Sequence, residues 1–269
     1  MKLSVFYHHI AEASAQTGRS LSDLLDYIKK LGIDYVEVDM NDLINSENLV
    51  RNLDEHGLKI SSVYSFYNFG VSTDCTDGFA HIDRVAAAGC DKIMLIPGFY
   101  SSADNDTRTA ELNSMVNAMK EMCVYAVSKG LTPTIEDFDD SNSPICDAEG
   151  MLCFAEQISQ LKITFDTGNF MYSERSETEA YAMLKDKIVH VHCKDRSLDS
   201  NSKGEVKLTT GGRALYPSPV GDGSIKMREI VTSLKAAGYD GIYTIEHFGT
   251  ENQLGFIEKS VKNLKEWLE

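Results

Sequence analysis

Short β-rich runs alternate with longer amphipathic runs along the whole chain. The first strand is predicted over Leu3–Tyr7. The next run, SLSDLLDYIKKLG, has apolar side chains at helical spacing, with Ser20 as its N-cap and Gly32 as its end. Eight such strand–helix units follow one another, a repeat of about 34 residues. The predicted strands lie at 3–7, 34–38, 58–65, 92–98, 132–137, 162–168, 187–195 and 242–248.

Strands that alternate with helices predict a parallel sheet, and eight units in 269 residues are typical of a (β/α)8 TIM barrel. We therefore expect one α/β domain over residues 1–269. A doubly wound open sheet is the alternative, but no G-x-G-x-x-G follows the first strand and no P-loop occurs. One continuous helix is predicted over NDLINSENLVRNLDEHG. The stretch 196–223 is predicted to be irregular, and its length indicates a functional loop.

Four consecutive predicted strands end in side chains that can bind a metal ion. Strand five ends in Glu136, strand six in Asp166, strand seven in His192 and strand eight in Glu246, each after an apolar run. The carboxyl ends of barrel strands lie on one face, where active sites form. We therefore expect these four side chains to converge.

Three carboxylates that close together repel one another unless a cation lies between them. One imidazole with three carboxylates is an oxygen-rich set, which favours a single divalent ion. We expect Mn²⁺, with Mg²⁺, Co²⁺, Fe²⁺ and Zn²⁺ as alternatives. Cys193 should point away, because side chains alternate along a strand. A carboxylate after one strand is often only a helix cap or a solvated loop residue, so a degenerate barrel without an ion is the competing interpretation.

Composition narrows the class of partner. The net charge is −15 and the pI is near 4.9, which argues against nucleic acid and against an anionic membrane surface. Six scattered cysteines form no C-x-x-C, and no apolar stretch approaches the length of a membrane span. The N-terminal residues lack the pattern of a signal peptide. A cytoplasmic location is the expectation.

The segments TIEDF, FDTGN, VHVHCKD and GYDGIYTIEHFG resemble the xylose isomerase-like superfamily of sugar isomerases and epimerases. VGDGSIKMREI is similar to the segment that precedes the last unit in that family. Members include ketose 3-epimerases, hydroxypyruvate isomerase-like proteins and inosose dehydratases. The resemblance implies that Glu136, Asp166, His192 and Glu246 bind one divalent metal and that Glu136 and Glu246 also transfer protons. Members of the family often form dimers or tetramers, so the resemblance also implies a homo-oligomer.

Five further residues are candidates for contact with a substrate: His8, Asn169, His190, Lys194 and Arg196. The ketose 3-epimerases commonly have a histidine where this chain has Asn169, and that substitution also argues against the three-zinc endonucleases of the same superfamily. His190 should lie one layer below the mouth, either as a core histidine or as a substrate contact.

The implied function is a metal-dependent sugar or sugar-phosphate isomerase or epimerase that acts through an enediolate. The alternatives are a lyase of the inosose dehydratase type, a non-catalytic sugar-binding barrel and hydrolysis of abasic DNA.

Overall fold

Eight parallel strands close into a barrel in the computed structural model, which describes all 269 residues. The first barrel strand pairs with both the second and the last, and the last also pairs with the seventh, so no barrel strand is left at an edge. This closure confirms the predicted TIM barrel and excludes the open doubly wound sheet. The barrel strands are β1 (Lys2–Phe6), β2 (Tyr35–Asp39), β3 (Lys59–Phe66), β4 (Lys92–Ile96), β5 (Thr132–Glu136), β6 (Lys162–Asp166), β7 (Ile188–Ser197) and β10 (Ile242–Glu246).

Ten α-helices surround the barrel. Ser20 caps α2 as predicted, because its hydroxyl accepts the backbone N–H of Asp23. Short 3₁₀ turns occupy Asn169–Met171 and Lys185–Lys187. The helices are α1 (Tyr7–Thr17), α2 (Leu21–Lys30), α3 (Met40–Asn45), α4 (Leu49–Glu55), α5 (Thr76–Ala87), α6 (Asn105–Ser128), α7 (Ala148–Gln157), α8 (Glu177–Leu184), α9 (Met227–Ala236) and α10 (Gln253–Leu268).

Two helical assignments differ from the prediction. Helix α1 follows β1 directly and was not predicted, because it buries only His9, Ile10 and Ala13 and its apolar stripe is correspondingly weak. The single helix predicted before β3 is two helices, α3 and α4. Ser46 has an extended backbone that ends α3, and a new helix begins at Leu49.

The hydrophobic core lies between the barrel and its helices. Alternate residues of β7 show how the sequence creates it, because Val191 and Cys193 point outward into a cluster of 57 buried apolar residues. This confirms the orientation expected for Cys193. His190 and His192 point inward and are fully buried. The barrel interior is therefore polar, and its mouth can hold chemistry.

The segment predicted to be irregular contains an antiparallel hairpin. β7 continues past the barrel to Ser197 and pairs with β9 (Ala214–Ser218), which pairs in turn with β8 (Lys207–Leu208). We call residues 207–218 the mouth hairpin. The expectation of a wholly irregular loop was wrong for this part, because the pairing partner is an extension of a barrel strand.

A cavity of about 470 Å³ lies at the opposite end of the barrel, around the first residues of the strands. Two of its lysines already have partners there: Lys2 Nζ is 2.9 Å from the Asp240 carbonyl, and Lys92 Nζ is 2.7 Å from an Asp91 oxygen. This end of a TIM barrel usually contributes to stability, and active sites form at the other end.

None of the helices combines the length and the apolar character that crossing a membrane requires.

Candidate metal centre

The four strand-end side chains converge as expected. One ligand atom from each of Glu136, Asp166, His192 and Glu246 lies within 4.8 Å of the others. His192 Nδ1 contacts Glu136 Oε1 and lies 3.4 Å from Glu246 Oε2. All four side chains are deeply buried or nearly so. The arrangement places one nitrogen and several carboxylate oxygens around a common point.

Local backbone geometry orients Asp166. Its Oδ1 accepts the backbone N–H groups of Gly168 at 2.6 Å and Asn169 at 2.8 Å, so the chain turns sharply after β6. The Thr167 hydroxyl donates to the Lys194 carbonyl at 2.8 Å, which holds this turn against β7. Asp166 Oδ2 is buried and has no hydrogen-bond partner. One oxygen is thus anchored while the other is free to bind a ligand.

Lys194 faces the same point from β7, which agrees with its predicted inward orientation. Its Nζ lies 2.5 Å from Glu246 Oε1 and 3.9 Å from Asp166 Oδ2. The lysine adds one positive charge beside three carboxylates. That charge reduces their mutual repulsion without removing it.

The electrostatics show the cost of this crowding. Burial raises the pKa of Glu136 and raises the pKa of Asp166 well above its usual range. Burial alone would lower the pKa of His192, but Glu136 and Glu37 outweigh it and hold that pKa well above normal. Burial also acts to raise the pKa of Glu246, but Lys194 and His192 dominate and keep it well below normal. Protons therefore relieve the excess negative charge at this site.

A divalent ion would relieve the same charge and would also satisfy the unpartnered Asp166 Oδ2. The residues fit such an ion because they offer one nitrogen and three carboxylates in a compact, buried set. The residues that would hold it are Glu136, Asp166, His192 and Glu246.

A layer of polar side chains lies directly below this centre. Glu37, from β2, is fully buried, and its Oε2 lies 2.8 Å from His190 Nε2 and 3.0 Å from His192 Nε2. Thr244 Oγ1 is 3.0 Å from the same His190 nitrogen. His190 is fully buried against these groups, the position expected of a core histidine, which is the other role the sequence left open. We assign it to this support layer, defined by Glu37, His190 and Thr244.

Arg196 continues the inward series of β7 at the mouth. Its side chain is 1% exposed, its Nη2 lies 3.1 Å from Asp139 Oδ2, and Lys207 of the mouth hairpin lies 2.7 Å from the other oxygen of Asp139. The Arg196 guanidinium stacks over the Phe248 ring at 4.9 Å. Its Nε and Nη1 have no partner. The mouth hairpin is thus fixed over the barrel by ion pairs that leave two buried donors free.

His8 and Asn169 lie on either side of the mouth. His8 is in the first turn of α1, 3.5 Å from the Tyr64 hydroxyl, and the Phe6 ring lies 5.3 Å from its ring and 4.9 Å from the His192 ring. Asn169 begins the 3₁₀ turn after β6 and donates through Nδ2 to the Asp137 carbonyl at 2.8 Å. Its Oδ1 is buried without a partner. Both positions are compatible with the predicted contacts.

The VGDGS segment is explained by Asp195, the outward neighbour of Lys194. The Asp195 carboxylate accepts backbone N–H groups of Gly221 at 2.8 Å, Gly223 at 3.0 Å and Ile225 at 3.3 Å. A Cβ at Gly223 would lie 2.1 Å from an Asp195 oxygen, so only glycine fits. This contact returns the chain from the mouth hairpin to α9.

Sequence reasoning missed Glu37 and the ion pair between Asp139 and Lys207. A signal existed for Glu37, because a charged side chain stands between valines in DYVEVD, in the inward phase of a buried strand. For Asp139 and Lys207 the sequence offers only charge, since their pairing depends on how the mouth hairpin folds back.

Comparisons with known proteins agree with this fold. The family model described as a xylose isomerase-like TIM barrel matches residues 25–269. No curated protein sequence matches the chain significantly.

Among solved structures, the probable 3-DHS dehydratase AsbF of Bacillus anthracis is similar with 17% identity and a TM-score of 0.74, over 98% of this chain and 99% of that one. A D-psicose 3-epimerase of Clostridium cellulolyticum H10, solved with D-tagatose, has 15% identity and a TM-score of 0.73, over 100% and 98%. A xylose isomerase-like TIM barrel protein of Mycobacterium smegmatis, solved with magnesium, has 18% identity and a TM-score of 0.67, over 92% and 87%. At these identities the structures show the fold alone, and the family match adds to it: the chain belongs to the xylose isomerase-like TIM barrel family.

Proposed function

We propose that this protein is a divalent-metal-dependent isomerase or epimerase of a sugar or sugar phosphate. The observation that supports it most directly is the convergence of Glu136, Asp166, His192 and Glu246 with one Asp166 oxygen buried and unpartnered. Purely structural carboxylates would be expected to find partners, because an unpartnered buried charge is costly. We propose Mn²⁺ as the ion, with Mg²⁺, Co²⁺, Fe²⁺ or Zn²⁺ as alternatives.

When bound, the ion would polarise a substrate carbonyl and offset the negative charge that develops when a neighbouring carbon loses its proton. The protein's own residues supply the proton transfers. Glu136 on β5 and Glu246 on β10 flank Asp166 and His192, so a substrate between them would meet a carboxylate on each side.

The two glutamates have different environments, which suits a pair that divides acid and base work. Lys194 lies 2.5 Å from Glu246 and keeps it ionised and able to accept a proton from carbon, whereas Glu136 contacts His192 instead. A proton returned to the opposite face of the same carbon yields an epimer, and one returned to the adjacent carbon yields an aldose–ketose isomer.

The mouth offers groups that complement a polyhydroxyl compound. Arg196 has free N–H donors, and Asn169 Oδ1 is a free acceptor. Three aromatic side chains end or follow β3, β4 and β5, where Phe138 packs edge-on against Phe66 at 5.6 Å and against Phe99 at 5.2 Å. Phe66 is 47% exposed and could stack on the C–H face of a sugar.

A dehydratase is the second candidate. The similarity to the probable 3-DHS dehydratase extends over nearly the whole of both chains, and expulsion of a hydroxyl can follow the same proton removal. Loss of water from a substrate would generate an ultraviolet-absorbing enone or dione, which distinguishes the two reactions.

The test combines metal analysis with solvent exchange. Purified protein loaded with Mn²⁺ is incubated with a panel of ketoses and ketose phosphates in deuterium oxide, and NMR detects deuterium entering carbon-bound positions. Glu246→Gln should reduce exchange and turnover by roughly a thousandfold with the fold intact. Glu251→Gln, an exposed control five residues later, should behave as wild type. Absence of uptake of every one of these divalent ions, or a Glu246→Gln variant within tenfold of wild type, would refute the proposal.

A further inference from the structure

Glu37 crosses the barrel interior to reach the metal centre from below. It stands on β2, which is separated from β7 by β1 and β10 around the barrel. Its side chain is fully buried, and one oxygen, Oε2, lies within hydrogen-bonding distance of both His190 and His192. Burying a carboxylate is costly unless it is paired and hydrogen-bonded, so the contacts of Glu37 indicate what its position serves.

The two nitrogens of His192 face opposite directions. Nδ1 faces Glu136 and Glu246, where the ligand atoms converge, and Nε2 faces Glu37 at 3.0 Å. An imidazole nitrogen binds a cation through its lone pair, and a neutral ring has one N–H and one lone pair. A ring that offers Nδ1 to a metal must therefore have its proton on Nε2, and this proton requires an acceptor.

We propose that Glu37 is the positioning residue that selects this tautomer. By accepting Nε2–H of His192, it directs the Nδ1 lone pair toward Glu136, Asp166 and Glu246. Without Glu37 the opposite tautomer becomes favourable, because an Nδ1–H could donate to Glu136 and would then point a hydrogen at the position of the ion. The inference builds on the proposed function, since it concerns how the same centre binds its metal.

His190 holds the Glu37 carboxylate in place. Its Nε2 lies 2.8 Å from the same Glu37 oxygen, so the carboxylate is held between two imidazoles and cannot easily rotate away from His192. Thr244, which pairs with His192 in the β7–β10 register, approaches His190 from the side. This arrangement explains why a histidine two residues from a metal ligand is fully buried.

The first experiment measures metal affinity. Partners that orient a metal-binding histidine typically affect affinity by about 10- to 100-fold. Glu37→Leu should therefore weaken Mn²⁺ binding by about that factor in isothermal titration calorimetry. Glu37→Gln can still accept both N–H groups through its amide oxygen and should lose less than about tenfold. Glu111→Gln is the matched control, because Glu111 is also a buried glutamate but pairs with Ser101 on another loop.

The second experiment reads the tautomer itself. Nitrogen-15 NMR of the metal-free wild type, recorded at a pH above the raised pKa of His192 so that the ring is neutral, should show its remaining proton on Nε2, with the signals identified by comparison with His192→Gln. In Glu37→Leu the signal should shift to the Nδ1–H form. If Glu37→Leu does not fold, the wild-type tautomer and the Glu37→Gln affinity decide the question.

Two results would overturn the inference: an Nδ1–H tautomer of the neutral His192 ring in wild type, or a folded Glu37→Leu that binds Mn²⁺ within threefold of wild type. Failure of the wild type to bind any divalent ion would instead refute the proposed function, and the NMR measurement would still test the tautomer. The two failures are therefore distinguishable.

Discussion

Binding of Mn²⁺ to the metal-free protein should release protons. Burial raises the pKa of Glu136 and of Asp166, and the surrounding carboxylates raise the pKa of His192 despite its burial. A raised pKa favours the protonated form of each of these groups in the metal-free protein. A metal ion binds only the deprotonated forms, so it must displace these protons.

The magnitude follows from the number of groups involved. Three ligands have raised pKa values, while Glu246 is kept ionised by Lys194. We expect about one to two protons released per Mn²⁺ at pH 7. Each released proton changes the affinity tenfold per pH unit, or about 1.4 kcal/mol. Binding should therefore tighten by roughly ten- to a hundredfold between pH 6 and pH 7 and weaken in the opposite direction.

Calorimetric titrations in two buffers with different ionisation enthalpies give the number of protons directly. Asp166→Asn provides an internal comparison, because asparagine keeps an oxygen ligand but holds no proton, so the variant should release fewer. A dissociation constant for Mn²⁺ that stays flat between pH 6 and pH 8 would show that the crowded carboxylates are not protonated in the metal-free protein. The reasoning about their mutual repulsion would then be wrong.

Two further predictions concern the surroundings of the centre. Burial lowers the pKa of His247 to about 3. The pKa of His247 is lower in the folded protein than in the unfolded chain, so the unfolded chain takes up a proton first as the pH falls. The free energy of unfolding should therefore decrease by about 2 kcal/mol between pH 7 and pH 5. Urea unfolding at both pH values should show a smaller loss for His247→Asn, and an equal loss would contradict the assignment. Lys207→Met removes the 2.7 Å ion pair to Asp139. Amide exchange in the mouth hairpin should then accelerate by about tenfold. Lys203→Met, which removes no ion pair, should leave the exchange unchanged, and equal exchange in both variants would show that the pair does not hold the hairpin.

The sequence was sufficient to predict the barrel and the four converging side chains. Both depend on short-range patterns: strand–helix alternation gives a parallel barrel, and every strand then ends on the same face. The position of Glu136 or Asp166 therefore follows from where its own strand stops. No long-range detail is needed to bring these residues together.

The support layer and the mouth pairs could not be predicted in the same way. Whether Glu37 reaches His192 or another strand depends on the stagger of strands around the closed barrel, and β2 and β3 shift register between Val36 and Glu37. Lys207 reaches Asp139 only because the mouth hairpin pairs with the extension of β7. Helix α1 was missed for the opposite reason, since its pattern is local but weak.

The inward side chains of β7 connect the support layer, the metal centre and the mouth of the barrel. Each can donate an N–H group, and each faces an acid from a different part of the chain. The pairs are His190 with Glu37, His192 with Glu136, Lys194 with Glu246 and Arg196 with Asp139. In a chain of net charge −15, this one strand supplies the N–H donors that let four acids lie inside the barrel and at its mouth.

The four pairs need not respond alike to a metal ion. The ion would replace the proton between His192 and Glu136, because both are ligands. The pairs above and below do not include two ligands, so they can persist and fix the walls of the site. We therefore expect metal binding to change the protonation of the centre while the support layer and the mouth hairpin keep their geometry, a rigid frame around a titratable core.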